Sequence, residues 1–212
     1  MIDSRTVGPF LENCYLVVDD ATRRAVMVDP GDEADELLRM LDESGATLDA
    51  IWITHGHLDH VGGIRGVRRR VKVPVLLHPA DRPLFDRVAE QAAAYGVSLE
   101  QPDPPDGDLA DGDVLAVGAT RFTVMHTPGH APGHVAFVGN GVVLGGDLLF
   151  AGSIGRTDLP LADPVAMERS LERIAGLPDA TVVYPGHGPV TTIEAELHSN
   201  PFLTGVVRPV RA

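Results

Sequence analysis

The chain reads as an α/β protein, and three observations support this. Its N-terminal third alternates strand-like and helix-like segments, and its second half is rich in short apolar strands. Its composition, 44% hydrophobic and 22% charged over 212 residues, is that of a soluble globular enzyme with enough chain to bury a substantial core.

Residues 11–19 and 24–28 form two apolar runs around Asp20-Ala21-Thr22, a hairpin pattern closed by the turn Asp29-Pro30-Gly31. Residues 32–44 carry Leu37, Leu38 and Leu41 at helical spacing, and their acidic start complements a helix dipole. A buried-type strand follows at 50–54, then a helix at 62–71, a short strand at 73–78 and a helix at 81–95. The Pro, Asp and Gly residues of 101–113 mark a surface loop. Beyond it, strands are expected at 114–117, 121–126, 135–138 and 142–144, a helix at 164–175, a strand at 181–184 and a last helix at 192–199.

Composition excludes several classes of function. The formal charge of −13 repels phosphodiester backbones, and the one basic cluster, Arg68-Arg69-Arg70, reads as a solvated helix end, so no nucleic-acid partner is expected. No apolar run approaches the roughly 18 residues of a membrane span, and the first residues lack a signal-peptide pattern, so the expected location is the cytoplasm. Cys14, the only cysteine, lies in the apolar run Cys14-Tyr15-Leu16-Val17-Val18 and reads as a buried strand residue rather than a nucleophile. No interface signature bears on oligomeric state.

Chemistry concentrates in four stretches, each just after an apolar strand, where loops on rigid elements converge. The densest is Thr54-His55-Gly56-His57-Leu58-Asp59-His60, three imidazoles and a carboxylate in six residues. The second is His126-Thr127-Pro128-Gly129-His130-Ala131-Pro132-Gly133-His134. Its histidines recur every fourth residue, but its prolines and glycines rule out a continuous helix, so the three rings point in different directions and one ligand is the expectation. The residues alone do not choose which. Asp147 follows two glycines that permit close backbone approach, and its two oxygens allow one side chain to bridge two cations. His187 lies between Gly186 and Gly188. Imidazoles and carboxylates together suit zinc first, with iron or manganese also compatible. Asp29 ends a strand and can orient a ligand histidine through its second ring nitrogen. His78 and His198 read as ordinary surface or core histidines.

In this order and spacing, Asp29-Pro30-Gly31, His55 to His60, Thr127-Pro128-Gly129-His130, Gly146-Asp147 and Gly186-His187-Gly188 resemble the motifs of the metallo-β-lactamase superfamily, in particular its short glyoxalase II-like hydrolases. The resemblance runs from about residue 11 to the C-terminus. It implies an αββα sandwich of two mixed β-sheets flanked by helices, formed by residues 1–212 as a single domain. It also implies two divalent metal ions. His55, His57 and His130 match the ligands of the first and Asp59, His60 and His187 those of the second. Asp147 bridges the two, and His134, like Asp29, supports the ligands from behind.

Full-length glyoxalase II enzymes grip glutathione with a C-terminal helical domain, whereas 25 residues follow His187 here. The expected reaction is thioester hydrolysis of S-(2-hydroxyacyl)glutathione or a related small acyl-thiol, by attack of a hydroxide held between the metals, with Asp59 and Asp147 central to catalysis. A thiolate leaves without protonation, which favours thioesters over amides. The alternatives are a persulfide dioxygenase using one iron on the equivalents of His55, His130 and Asp147, and a lactonase. The segment Gly155-Arg156-Thr157-Asp158 is shared with the dioxygenases, whereas His134 departs from them.

Overall fold

The computed structural model describes residues 1–210. Two six-stranded mixed sheets carry the fold. The first contains β1 (Ile2–Val7), β2 (Glu12–Val18), β3 (Arg24–Val28), β4 (Thr47–Trp52), β5 (Val75–Leu77) and β6 (Gly107–Asp108) in sequence order, antiparallel up to β3 and parallel beyond it. The second sheet contains β7 (Val114–Val117), β8 (Thr120–His126), β9 (Val135–Gly139), β10 (Val142–Gly146), β13 (Val182–Pro185) and β14 (Thr191–Thr192). Between them in sequence, β11 (Leu149–Phe150) and β12 (Ser153–Ile154) form a small hairpin.

Period-two alternation builds the layers. In β2, Tyr15 and Val17 face the second sheet, while Cys14, Leu16 and Val18 face the helices α1 (Ala34–Ser44) and α3 (Ile64–Arg70). Trp52 is the centre of the intersheet core, 5.1 Å from the Phe137 ring and 5.8 Å from that of Phe122. On the outer face of the second sheet, Ala136, Val143 and Val183 pack against Met167, Leu171 and Ile174 of α6 (Pro164–Ala175) and Ile193 of α7 (Ile193–Ser199). The order of layers is therefore helix, sheet, sheet, helix. No helix among the described residues is long and apolar enough to cross a membrane.

Several elements differ from the sequence reading. β1 is absent from that reading, because an edge strand with polar residues facing solvent shows no apolar run. The helix expected over 81–95 is a 3₁₀ turn (Pro79–Asp81) followed by α4 (Arg82–Phe85) and α5 (Val88–Ala94), broken at Arg87, whose backbone (φ −120°, ψ 22°) leaves the helical region. The helix expected over 62–71 begins earlier, as α2 (Leu58–Val61) within the histidine run, and resumes as α3. Strand β4 spans Thr47–Trp52, which leaves Ile53 and Thr54 to start the loop. Cys14 is buried in β2. The arginines at the end of α3 pair with Asp106, Glu100 and Asp42 at the surface.

Candidate metal centre

The loops that leave β4, β8, β10 and β13 converge at one edge of the sandwich. His57 precedes α2, so Asp59 and His60 project from a helical turn while His55 remains in the preceding loop. Donor atoms of His55, His57 and His130 lie within 4.8 Å of one another, as do those of Asp59, His60 and His187. Asp147 stands between the two groups: Oδ2 is 3.5 Å from His130 Nε2 and 3.6 Å from His187 Nε2, and Oδ1 is 3.3 Å from His60 Nε2. His187 Nε2 also lies 3.3 Å from Asp59 Oδ2. All seven residues singled out in the sequence are thus brought together.

Hydrogen bonding fixes which nitrogen of His55, His60 and His130 faces inward. The Thr54 hydroxyl donates to Asp29 Oδ2 (2.5 Å), so it can only accept from His55 Nδ1 (3.0 Å), leaving His55 Nε2 to point at the site. His60 Nδ1 donates to the same Asp29 oxygen (2.9 Å), and His130 Nδ1 to the Arg156 carbonyl (2.8 Å). Asp29, directly or through Thr54, therefore orients two rings. It is itself held at φ 52° at the end of β3, and its Oδ1 accepts from Thr54 N (2.7 Å). These bonds engage both of its oxygens, so the third possible grouping, Asp29 with His55 and His60, serves as a hydrogen-bonded support.

The spaced histidines separate in the same way. His134 Nε2 accepts from the Asp147 backbone N–H (3.0 Å) and its Nδ1 donates to Thr127 Oγ1 (2.9 Å), so neither nitrogen is open. His126 donates through Nε2 to the Pro132 carbonyl (3.0 Å) and stacks on His78, with ring centroids 4.3 Å apart. Only His130 of the three faces the cluster.

Electrostatics divides the cluster. Burial, followed by the neighbouring rings, pushes His55 well below the ordinary histidine range, and His57 falls to about 3. Burial opposes protonation of His60 and His187 as well, but Asp147 and Asp59 outweigh it and raise both. The carboxyls of Asp59 and Asp147 resist burial through the same rings and stay below the usual carboxylate range. Rings of lowered pKa thus gather on one side and the raised His60 and His187 with Asp59 on the other, with Asp147 between them.

The residues fit divalent metal ions. His55 Nε2, His60 Nε2 and Asp147 Oδ1 are buried, face the common centre and make no hydrogen bond. His57 Nδ1 and His130 Nε2 approach to 2.9 Å, a placement of imidazole nitrogens that a shared cation satisfies. Gly186 leaves the space that Asp147 and His60 occupy, since a Cβ there would collide with Asp147 Oδ1.

Two buried acids in this region carry no mark in the sequence reading. Asp81 accepts from Gly56 N through Oδ2 (2.8 Å) and from Gly133 N through Oδ1 (2.5 Å), tying the two histidine loops together. Burial raises its carboxyl to about 6 against those amide donors. Glu12 is buried with its Oε1 4.0 Å from His60 Nδ1, and burial holds its carboxyl well above the usual range. Nothing local marks Asp81, which sits in a turn after a proline. Glu12-Asn13 does carry a signal, two polar residues opening an apolar strand. Asn13 Nδ2 donates to the Pro185 and Gly188 carbonyls (3.1 and 2.9 Å) and holds the His187 loop against β2.

Comparison with known proteins agrees with this architecture. The model of the metallo-beta-lactamase superfamily matches residues 7–187. A hydroxyacylglutathione hydrolase, GloC of Haemophilus influenzae, is 37% identical over 202 residues, covering 93% of this chain and 95% of that protein. Among solved structures, the BLEG-1 B3 metallo-beta-lactamase superposes with a TM-score of 0.90 at 38% identity, covering 97% of this chain and all of that one. TTHA1623 in a di-iron-bound form gives 0.89 at 44% identity, covering 95% and 100%. ETHE1 from Myxococcus xanthus gives 0.80 at 29% identity, covering 97% and 85%. The chain belongs to the metallo-beta-lactamase superfamily, whose fold binds divalent metals. The superfamily and the names of several relatives indicate a metal-dependent hydrolase.

Proposed function

We propose that this chain is a binuclear metal-dependent thioesterase that cleaves S-(2-hydroxyacyl)glutathione or a related acyl-thiol. The observation that carries the reading is the pair of donor triads, His55, His57, His130 and Asp59, His60, His187, with Asp147 between them and buried, unpartnered donor atoms facing inward. Zinc suits the donor set, and the di-iron relative supports iron as a second option. Two such ions would supply a water of lowered pKa, down to about 7, and a Lewis acid for the carbonyl oxygen.

The chain's own residues do the rest. Asp59 brings negative charge to the side of the centre where His60 and His187 lie, Asp147 brings it between the two triads, and Asp29 keeps the His55 and His60 nitrogens aimed inward. Asp147 is held from behind by the His134 ring on its backbone N–H. The cleft above the centre is open to a small substrate, with His57, Asp59, His130, Asp147 and His187 at its floor. Cleavage releases a thiolate, whose parent pKa of about 8.5 lets it leave without a proton from the protein.

The test is thiol release from S-D-lactoylglutathione and from an acyl-N-acetylcysteamine by metal-replete protein, with a chelated sample alongside. Metal-dependent release from either supports the reading, and no release from both removes it. Similarity to ETHE1 and the Gly155-Arg156-Thr157-Asp158 segment favour a second reading, oxidation of a persulfide on a single iron. Oxygen consumption with a persulfide, without thiol release from thioesters, would select it.

A further inference from the structure

We propose that the cleft over the metal centre selects acyl-thiols bearing an apolar group and does not depend on recognising a charged thiol carrier; this rests on the thioesterase reading. The cleft has a volume of about 940 Å³. Above the histidine and aspartate floor its walls turn apolar. Lining the cleft are Phe10 and Tyr95, edge to face with centroids 5.3 Å apart, and Leu84 of α4. Phe150, whose ring meets that of His187 at 5.9 Å, lines it as well, with Leu159 and Leu161. Tyr95 and Leu161 are 56% and 59% exposed at the mouth, and Leu161 is held there at φ 68°, in the left-handed region that a branched side chain rarely adopts. Large apolar side chains kept in water beside a polar reaction centre mark a surface that a ligand covers.

Charge points the same way. The two arginines lining the cleft are already engaged: Arg87 pairs with Glu90 at 2.7 Å, and Arg156 makes a two-pronged pair with Asp158 at 2.8 and 2.7 Å. A carrier with several carboxylates or phosphates would share these exposed guanidinium groups with Glu90 and Asp158 and approach a chain of net charge −13. An apolar group meets no such competition. The reaction is balanced as RCO–SR′ plus water giving RCOO⁻, R′SH and a proton; the C–S bond breaks and the new C–O bond takes the water oxygen. Either R or R′ can supply the apolar group.

The experiment uses the metal-replete 212-residue chain and two substrate series. One varies the acyl group from acetyl to octanoyl on N-acetylcysteamine. The other keeps acetyl and varies the carrier among glutathione, N-acetylcysteamine and straight-chain thiols from ethanethiol to octanethiol. The expected result is a rise in kcat/KM of about two- to fourfold per added methylene in at least one series. The series that rises identifies R or R′ as the apolar partner, and glutathione should give no advantage over N-acetylcysteamine. A Leu84→Ser, Tyr95→Ser double variant should flatten that slope. As a readout independent of turnover, non-hydrolysable S-alkyl thioethers should bind the metal-free protein more tightly as the chain lengthens, in calorimetry with a negative heat-capacity change. Thioester hydrolysis that is indifferent to apolar size, or that favours glutathione thioesters more than about tenfold, overturns the proposal and leaves the thioesterase reading standing. Cleavage of S-D-lactoylglutathione but of no member of either series overturns the proposal alone, and failure to cleave any of them overturns both.

Discussion

Replacing Asp81 by asparagine tests the electrostatics around the histidine loops. Asp81 is fully buried and joins Gly56 N to Gly133 N, yet burial raises its carboxyl from the ordinary 3.8 to about 6. An acid whose native pKa exceeds its unfolded value holds its proton more tightly in the fold. Its contribution to stability is full below about 3.8 and is lost as pH rises through about 6. The whole span corresponds to roughly 3 kcal/mol, and the part between pH 5 and 8 to about 1–2 kcal/mol. The asparagine side chain does not titrate, and the two proteins share every other ionisable group. The stability of wild type minus that of Asp81→Asn should therefore fall by about 1–2 kcal/mol from pH 5 to pH 8, on top of a constant offset for the acceptor that asparagine lacks. Urea denaturation of both proteins in chelator, at unit steps of pH, measures that difference. A difference that is flat with pH, or that grows as pH rises, would show the two amide donors outweighing burial and would refute the reasoning.

Further outcomes follow from the same geometry. Asp147→Ala removes the side chain that lies against His60, His130 and His187, so turnover should be lost; near-normal rates would exclude a shared centre. Asp29→Ala frees the rings of His55 and His60 to rotate, and should weaken metal binding about 10- to 100-fold in competition with a chromophoric chelator. Unchanged affinity there would mean that packing alone orients the rings. Trp52→Ala empties the middle of the intersheet core and should cost about 3–5 kcal/mol in chemical denaturation, while a loss under about 1 kcal/mol would deny its central place.

The sequence displays what periodicity and unusual residue types can display. The apolar runs that become β2, β3 and β9 are legible because burial on both faces of a strand leaves a continuous signature. The seven donors are legible because three imidazoles and a carboxylate in six residues are hard to explain otherwise. What stays hidden depends on distance in sequence. Asp81 acquires meaning only when the turn after β5 packs against both Gly56 and Gly133, contacts 25 and 52 residues away. Likewise β1 becomes a strand through its pairing with β2, and the helix expected at 81–95 is interrupted between α4 and α5, where the Gln91 side chain reaches back from α5 to the Leu84 carbonyl and across to that of Gly56. Spacing leaves three histidines between 126 and 134 equivalent, whereas hydrogen bonding shows that His134 has no free nitrogen and that His126 faces away.

The binuclear account is tested most directly by titrating metal-free protein with a divalent metal and following thiol release from an acyl-thiol at each addition. The account predicts that the rate climbs until two equivalents are bound per chain and then levels, since both triads and Asp147 must be filled. A rate that is complete at one equivalent and unchanged by the second would contradict it.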